Sequence, residues 1–282
     1  MDRRRALRLL GAVASTPLLF DREAHAKPGY DLRPIDRVGL QLYTVRSEMQ
    51  RDFEGTLARV AAIGYREVEF AGYFGRSATA VRRALESAGL TAPATHVPAV
   101  TVTQDWLRAL EEAAAIGCRY VVAAWIDAVE RTTLGHWQRW AERFNRAGEQ
   151  AAAHGVRFAY HNHNYEFQPV SGRLPYQVLL DETDAGRVRF EMDLCWIISA
   201  GGDPLPFFSA HPGRFPLVHV KDSGGAPEHR MLDVGRGSID FPRIFAERTK
   251  AGIEHFFVEH DEPESPMESA RVSYEFMRRL AW

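Results

Sequence analysis

The stretch from His161 to Glu166 brings imidazoles, amides and a carboxylate together directly after the apolar run Val156 to Tyr160. Burying such a group of polar side chains costs free energy unless they bind something. Two imidazoles that are two residues apart lie on the same side of an extended chain, so His161 and His163 can face one ligand. The stretch therefore indicates a candidate metal or catalytic site to which other parts of the chain contribute.

Ionisable side chains recur where other apolar runs of the chain end. They are Glu69, His96, Asp193, His219, Lys221, Asp222, Glu259, His260 and Asp261. A single buried histidine is commonly satisfied by the backbone, but a recurrence at the same place in most units is not typical of a core. Converging carboxylates would repel one another unless a cation lay between them. The pattern therefore favours a cation site.

His161 and three of these residues form the most coherent set of metal ligands, because the four come from four consecutive apolar runs. They are His161, Asp193, His219 and Glu259. A mixed nitrogen and oxygen set suits Mn²⁺, Co²⁺ or Zn²⁺ better than Ca²⁺. We expect five further residues to surround the substrate: Glu69, His96, His163, Glu166 and Lys221.

The elements that must position these groups repeat one pattern along the chain. An Ala-rich amphipathic helix ends at a glycine, as at Gly117 and Gly155, and an apolar strand begins shortly afterwards. Glycine commonly closes helices in the left-handed conformation. The predicted strands cover residues 38–45, 67–70, 92–97, 120–125, 156–160, 189–196, 215–221 and 255–259.

Strands that alternate with helices predict a parallel sheet with helical crossovers. Eight such units in about 250 residues predict an α/β fold, the (β/α)₈ TIM barrel, as a single domain over residues 38–282. An open doubly wound sheet is the alternative, but no Gly-x-Gly-x-x-Gly motif follows the first predicted strand. In a barrel the carboxyl ends of the strands build the active site, and the polar groups above fall there.

Residues 1–26 have the features of a cleaved export signal. Arg3, Arg4 and Arg5 are followed by the apolar run from Leu9 to Phe20 and by Ala24-His25-Ala26, a small-x-small cleavage pattern. The segment resembles a twin-arginine signal, so we expect export to the periplasm. A basic amphipathic amino-terminal extension is the alternative interpretation of this segment. Residues 27–37 form a lead-in, a connecting segment before the first predicted strand.

The bulk composition excludes several classes of partner. The net charge of −2 without a basic block argues against nucleic acid. No apolar run approaches about 18 residues, so we expect no membrane span. Cys118 and Cys195 make no zinc pattern or disulfide framework, which favours core positions for both. The sequence does not specify an oligomeric state.

Five motifs stand in the order expected for one known family. They are Gly39-Leu40-Gln41-Leu42-Tyr43-Thr44, the block from Tyr160 to Phe167, Met192-Asp193, the block from Val218 to Asp222, and Val258-Glu259. Together they resemble the xylose isomerase-like TIM barrels, in the branch called sugar phosphate isomerase/epimerase, over roughly Val38 to Leu280. The resemblance implies a metal held by residues at the ends of strands five to eight, often Glu, Asp, His and Glu.

Carried over singly, Asp193, His219 and Glu259 match this family pattern in residue type. His161 stands where many sugar epimerases have a glutamate, and Glu166 is the alternative ligand from strand five. The family's two glutamates act as acid and base, so the change argues against a simple two-glutamate epimerisation.

The resemblance implies a divalent-metal-dependent sugar isomerase or epimerase that acts through an enediolate on a ketose or keto-sugar. The ion would polarise the carbonyl, while Glu259, His163 or Glu166 moves the proton and Lys221 stabilises the negative charge. With the export signal, an exported 3-keto-glycoside lyase or hydrolase is the alternative, because phosphorylated sugars are scarce outside the cytoplasm. A non-catalytic sugar-binding barrel is a further alternative, and the acidic charge disfavours an endonuclease.

Aromatic residues add two expectations. Trp125 and Trp196 stand at predicted strand ends, where they form either a wall for a sugar ring or part of the core. Trp137, Trp140 and Phe144 have helical spacing, which favours packing.

Overall fold

The computed structural model describes Ile35 and residues 37–280. Within this range eight parallel strands close into a barrel, in which they follow one another in chain order and the last pairs with the first, with helices around it. The predicted single-domain (β/α)₈ TIM barrel is confirmed. The predicted export signal, residues 1–26, lies outside the described residues, as does nearly all of the lead-in.

The barrel strands are short, and each pairs in parallel with its neighbours. The ten strands are β1 (Val38–Gln41), β2 (Glu67–Phe70), β3 (Thr91–Val97), β4 (Tyr120–Ala123), β5 (Arg157–His161), β6 (Val188–Asp193), β7 (Leu217–Val220), β8 (Asp222–Ser223), β9 (Met231–Leu232) and β10 (His255–Val258). Strands β8 and β9 form a separate antiparallel pair beyond the end of β7.

Helices connect the strands around the outside. They are α1 (Arg46–Arg51), α2 (Phe53–Ile63), α3 (Ala78–Ala88), α4 (Thr101–Gln104), α5 (Trp106–Ile116), α6 (Leu134–Ala153), α7 (Pro175–Glu182), α8 (Leu194–Ser199), α9 (Pro204–Ala210), α10 (Phe241–Phe245), α11 (Arg248–Ala251) and α12 (Pro266–Met277). As predicted, Gly117 and Gly155 follow their helices with φ of 101° and 73°. No described helix is long and apolar enough to cross a membrane.

Alternation along the strands divides the side chains between two cores. One set packs between the barrel and the helices, including Val68, Phe158 and Phe190. The other set fills the barrel interior and consists of Ala94, Tyr120, Val122, Ala159, Leu217 and Phe257. Because side chains point to alternate sides of a strand, the residues two positions beyond Ala159 and Leu217 also face inward. These are His161 and His219, at the carboxyl end of the barrel.

Of the predicted strands that end earlier than expected, the first and the sixth are ended by side chains of the site. The first ends at Gln41, whose side chain accepts a hydrogen bond from the Tyr43 amide and begins a 3₁₀ helix over Leu42–Val45. The sixth ends at Asp193, whose Oδ1 accepts from the Trp196 amide at 2.8 Å and begins α8. A side-chain acceptor at an N-cap satisfies an amide that the strand could not pair.

Several packing predictions are confirmed. Trp137, Trp140 and Phe144 are buried on the inner face of α6. Cys118 and Cys195 are buried free thiols.

Candidate metal and substrate site

A cavity of about 740 Å³ opens at the carboxyl ends of the barrel strands. Its walls include His96, Trp125, His163, Trp196, Lys221 and Glu259. TIM-barrel active sites lie at this end of the fold, and the volume is in the range of small-molecule sites. The structure therefore brings most of the predicted site residues to one cavity.

Three of the four predicted ligands come together beside the cavity, which Glu259 lines. One ligand atom each from Asp193, His219 and Glu259 lies within 4.8 Å of the other two, and all three residues are buried. His219 Nδ1 lies 2.7 Å from Glu259 Oε2. Among the described residues nothing donates a hydrogen bond to Asp193 Oδ2, although Lys221 Nζ lies 3.1 Å away. A buried carboxylate oxygen in that state fits a divalent cation.

His161 lies beside this group but also joins a second one. Its Nε2 is 3.9 Å from Asp193 Oδ2, while its Nδ1 is 3.1 Å from Glu191 Oε2. His96, His161, Glu191 and His219 form the second set whose ligand atoms lie mutually within 4.8 Å. The predicted four-residue set is therefore divided between two clusters that share His219.

Glu166, the other strand-five candidate, points away from the cavity. It is fully buried, its Oε1 accepts from the Tyr160 hydroxyl, and its Oε2 accepts from the His163 amide at 2.9 Å. Burial raises its pKa to about 7. This placement gives no support to the predicted proton relay through Glu166, and His161 is the strand-five residue that reaches the site.

Glu69 was expected to contact the substrate, but it lies below the cavity floor. Its Oε2 is 2.7 Å from His219 Nε2 and 3.2 Å from His96 Nε2, and it accepts from Gln41 Nε2 at 2.8 Å. It is fully buried and is not among the residues that line the cavity. Its contacts are therefore with the histidines and not with a ligand in the cavity.

Glu191 is the site residue that the sequence reasoning missed. It is fully buried on β6, two residues before Asp193, so both side chains face the barrel interior. Burial opposes its ionisation, but the imidazoles of His219 and His96 hold its pKa well below the usual range. The alternation of side chains along β6 could have identified Glu191. It places Glu191 on the same inward face as Asp193, and two buried carboxylates need partners that neutralise their charge.

Lys221 links three carboxylates at the cavity wall. Its Nζ lies 2.8 Å from Glu259 Oε2, 3.1 Å from Asp193 Oδ2 and 2.8 Å from Asp261 Oδ1. Burial alone would lower its pKa, but these carboxylates raise the pKa well above the usual value. Burial likewise opposes the charge on Glu259, yet Lys221 and His219 hold the pKa of Glu259 well below its ordinary value. The pair is therefore an ammonium beside a carboxylate.

His163 and His96, which both line the cavity, differ in charge. Burial, followed by the charge of Lys221, lowers the pKa of His163 to about 3, so this ring is neutral. Burial opposes protonation of His96 as well, but Glu69 and Glu191 raise its pKa to about 9.

Trp125 and Trp196 both line the cavity. The side chain of Trp125 is 49% exposed, and its ring packs edge-on against His163 at 5.0 Å. The guanidinium of Arg131 lies 5.1 Å from the centre of the Trp125 ring and 3.4 Å from that of the Tyr165 ring. These contacts help to fix the orientation of both rings. For Trp125 this placement favours the sugar-wall interpretation over a core position, because aromatic faces suit the apolar face of a sugar ring.

Comparison with known proteins identifies several with the same barrel. A family model described as "Xylose isomerase-like TIM barrel" matches residues 57–280. The crystal structure of a sugar phosphate isomerase/epimerase from Parabacteroides distasonis is similar, with a TM-score of 0.76 and 26% identity. The match covers 85% of this chain and 92% of that one.

Two further matches bear on the chemistry of the relatives. An inosose dehydratase from Geobacillus thermodenitrificans is 26% identical over 166 residues, which is 52% of this chain and 55% of the relative. The chain thus spans about half the length of this curated relative. A structure of the IOLI protein with a bound zinc atom shares the fold, with a TM-score of 0.69 and 13% identity over 85% of this chain and 95% of that one.

Proposed function

The chain belongs to the xylose isomerase-like TIM barrel family, and we propose that it is a divalent-metal-dependent enzyme acting on a ketose or keto-sugar. It removes a carbon-bound proton next to the substrate carbonyl. The observation that carries this proposal is the buried Asp193, His219 and Glu259 group, whose Glu259 lines the 740 Å³ cavity. The similarity to an isomerase/epimerase and to a dehydratase supports it, because both kinds of reaction can begin with such a proton transfer.

Asp193, His219 and Glu259 would hold the ion, and His161 Nε2 is the nearest further ligand on β5. This set suits Mn²⁺, Co²⁺ or Zn²⁺, and the zinc found in a structural relative agrees with that range. When bound, a divalent ion polarises the substrate carbonyl and makes the adjacent C–H more acidic.

The protein's own groups then move the proton. Glu259 lines the cavity as a carboxylate and accepts the proton from carbon. The ammonium of Lys221, 2.8 Å from Glu259, stabilises the negative charge that develops on the enediolate. Trp125 and Trp196 pack against the apolar faces of the substrate and orient it.

The cavity favours a substrate without phosphate. Of the described residues that line it, Lys221 is the only lysine or arginine, and three carboxylates already surround its Nζ. A phosphate is held best by several cationic or amide donors. A neutral polyhydroxylated ketone therefore fits the lining better than a sugar phosphate.

Elimination of a group from the next carbon is the outcome that this site favours after proton removal. Epimerisation by two carboxylates needs a second one besides Glu259, and at the end of strand five, where many sugar epimerases have a glutamate, the cavity is lined by the imidazoles His161 and His163. An imidazole N–H can donate to a departing oxygen. The volume of the cavity and the exposed ring of Trp125 leave room for a large leaving group, as in a 3-keto-glycoside.

Isomerisation or epimerisation is the second candidate. The 26% identity to the Parabacteroides distasonis sugar phosphate isomerase/epimerase over 85% of the chain favours it. In this outcome the enediolate is protonated again, at the same or the neighbouring carbon, and no bond to a leaving group breaks.

The test is turnover in D₂O with free ketoses, inososes and 3-keto-glycosides, using protein loaded with Mn²⁺, Co²⁺ or Zn²⁺. An unsaturated ketone and a released alcohol support elimination, whereas deuterium at carbon in an intact sugar supports isomerisation or epimerisation. Binding without exchange or product would identify a non-catalytic sugar-binding barrel. Exchange that persists after complete chelation would contradict the metal's role.

We also propose that residues 1–26 direct export to the periplasm, on the basis of the arginines, apolar run and cleavage pattern in that segment. Sequencing the amino terminus of protein recovered from the periplasmic fraction tests this. A chain that is retained in the cytoplasm with Met1 intact would contradict it.

A further inference from the structure

We infer that Glu191 is a positioning residue that aims two imidazoles, His161 and His219, at the divalent ion. The inference rests on the proposed metal site, but it concerns a residue that does not itself belong to the Asp193, His219 and Glu259 group. It gives the cluster of His96, His161, Glu191 and His219 a role in metal binding by the group of Asp193, His219 and Glu259.

One carboxylate oxygen of Glu191 faces three ring nitrogens. Its Oε2 lies 2.6 Å from His96 Nε2, 3.1 Å from His161 Nδ1 and 3.1 Å from His219 Nε2. Glu191, His161 and His219 are at most 2% exposed, so water does not compete for these contacts. Such hydrogen bonds to an ionised acceptor in a dry interior are short and strong.

These contacts fix which nitrogen of each ring faces Glu191. A carboxylate only accepts hydrogen bonds, so each of those ring nitrogens carries a proton. The other nitrogen of His161 is Nε2, which lies 3.9 Å from Asp193 Oδ2. The other nitrogen of His219 is Nδ1, which lies 2.7 Å from Glu259 Oε2 and by the same argument carries a proton there, so an ion that binds this nitrogen displaces that proton. Glu191 therefore orients both rings with their second nitrogen toward the carboxylates of Asp193 and Glu259.

Glu69 makes a smaller contribution of the same kind. Its Oε2 contacts His219 Nε2 at 2.7 Å and His96 Nε2 at 3.2 Å, and it accepts from Gln41 Nε2 at 2.8 Å. Among the described residues, His219 is the one proposed metal ligand that it touches. Loss of Glu69 should affect one ligand ring, whereas loss of Glu191 should affect two. This predicts a graded response to the two substitutions.

Glu191 could instead bind an ion directly, because its oxygen and the three histidine nitrogens also form a possible ligand set. The two roles differ in coordination. A positioning carboxylate changes affinity and leaves the ligands of the ion the same, whereas a ligand changes the coordination sphere when it is removed.

The experiment measures the Kd for Co²⁺ and Mn²⁺ by chelator competition, and the Co²⁺ absorption spectrum at saturation. Glu191→Gln and Glu191→Leu should each raise Kd by about 10–100-fold while the saturated Co²⁺ spectrum is retained, as for the loss of an outer partner of a metal-bound histidine. Glu69→Gln should give a smaller rise in Kd.

Glu67→Gln is the matched control, because Glu67 pairs with His255 at 2.7 Å in the buried opposite end of the barrel. It removes a comparable carboxylate–histidine pair but touches no ligand, so Kd should stay within about twofold of the wild type, below the effect of an outer-sphere loss.

Unchanged Kd in both folded Glu191 variants overturns the inference, as does a Co²⁺ spectrum with altered coordination. Absence of any binding to the wild type overturns both the inference and the metal part of the proposed function, whereas the preceding outcomes leave that function standing.

Discussion

The two ends of the barrel interior each bury a glutamate against a histidine at 2.7 Å. At the amino end Glu67 pairs with His255, and at the carboxyl end Glu69 pairs with His219. Each oxygen of the amino-end carboxylate has a partner: Oε2 lies 2.7 Å from His255 Nδ1 and Oε1 lies 3.9 Å from Arg37, although His255 Nε2 has no hydrogen-bond partner among the described residues. The carboxyl end has more carboxylates than partners, and oxygens of Glu69, Glu191 and Asp193 accept no hydrogen bond from the described residues.

The difference shows that a buried charged pair alone does not mark a functional site. A matched pair is a structural feature, whereas a surplus of buried acceptors needs a cation or a ligand to be stable. The interior layer that contains Val122, Ala159, Leu217 and Phe257 separates the two ends. Each end can therefore be changed without direct contact with the other.

The largest expected effect is at the carboxyl end. Glu259→Gln should lower turnover by about 10³-fold or more, because it removes the proposed base and a metal ligand together. Deuterium exchange into the substrate and product formation measure this. Retention of full turnover by a folded Glu259→Gln protein would remove the basis for the contrast between the two ends.

Glu166 is a buried carboxylate that belongs to neither the amino-end pair nor the carboxyl-end cluster, and its pKa predicts a pH dependence of stability. Its pKa of about 7 in the folded protein exceeds the ordinary 4.5, so the folded state binds more protons between these values. Stability should therefore fall as pH rises from about 4.5 to 7, by up to about 3 kcal/mol from this group.

Glu166→Gln should remove that part of the pH dependence. The free energy of unfolding of the variant, relative to that of the wild type, should therefore be higher at pH 8 than at pH 5. Urea unfolding at several pH values measures it. Parallel pH profiles of the two proteins would show that Glu166 does not titrate as proposed.

The amino end should respond in stability alone. Glu67→Gln should cost about 1–3 kcal/mol, because it weakens a buried hydrogen bond between Glu67 and His255. Turnover per folded molecule should be unchanged. A loss of catalysis comparable to that of Glu259→Gln would show that the two ends are coupled through the apolar layer.

The smallest effect is expected at the mouth of the carboxyl end. Trp125→Ala should lower kcat/KM by about tenfold, mainly through KM, since an aromatic contact contributes about 1 kcal/mol beyond the area it buries. Stability should change little because the ring is 49% exposed. Trp137→Ala is the opposite case, a buried ring whose loss should reduce stability by about 3–5 kcal/mol.

Much of the fold and part of the site could be predicted from local patterns. Glycines after amphipathic helices and the apolar runs between them specified eight strands, and Asp193, His219 and Glu259 lie at or next to the ends of three of them. The bounds of β1 and β6 were predicted too long, because Gln41 and Asp193 use their side chains to end these strands. That capping depends on backbone geometry and is weakly visible in residue types.

The partners of each site residue could not be predicted in the same way. Glu191 was overlooked although it lies beside Asp193, since its importance comes from histidines on β3, β5 and β7. Glu166 was placed with the catalytic groups because it belongs to the same polar block as His161 and His163. The 3₁₀ turn over Tyr165–Phe167 instead directs its carboxylate to Tyr160.

By itself the sequence determined the barrel and the end of the barrel at which chemistry would occur, because periodicity and strand order act through neighbouring residues. Tertiary structure alone decided which carboxylates face the cavity and which support the histidines beneath it. Barrel closure brings Glu69 within 2.7 Å of His219, although the two are 150 residues apart. Distances of that kind depend on the register and twist of all eight strands together, which no local pattern encodes.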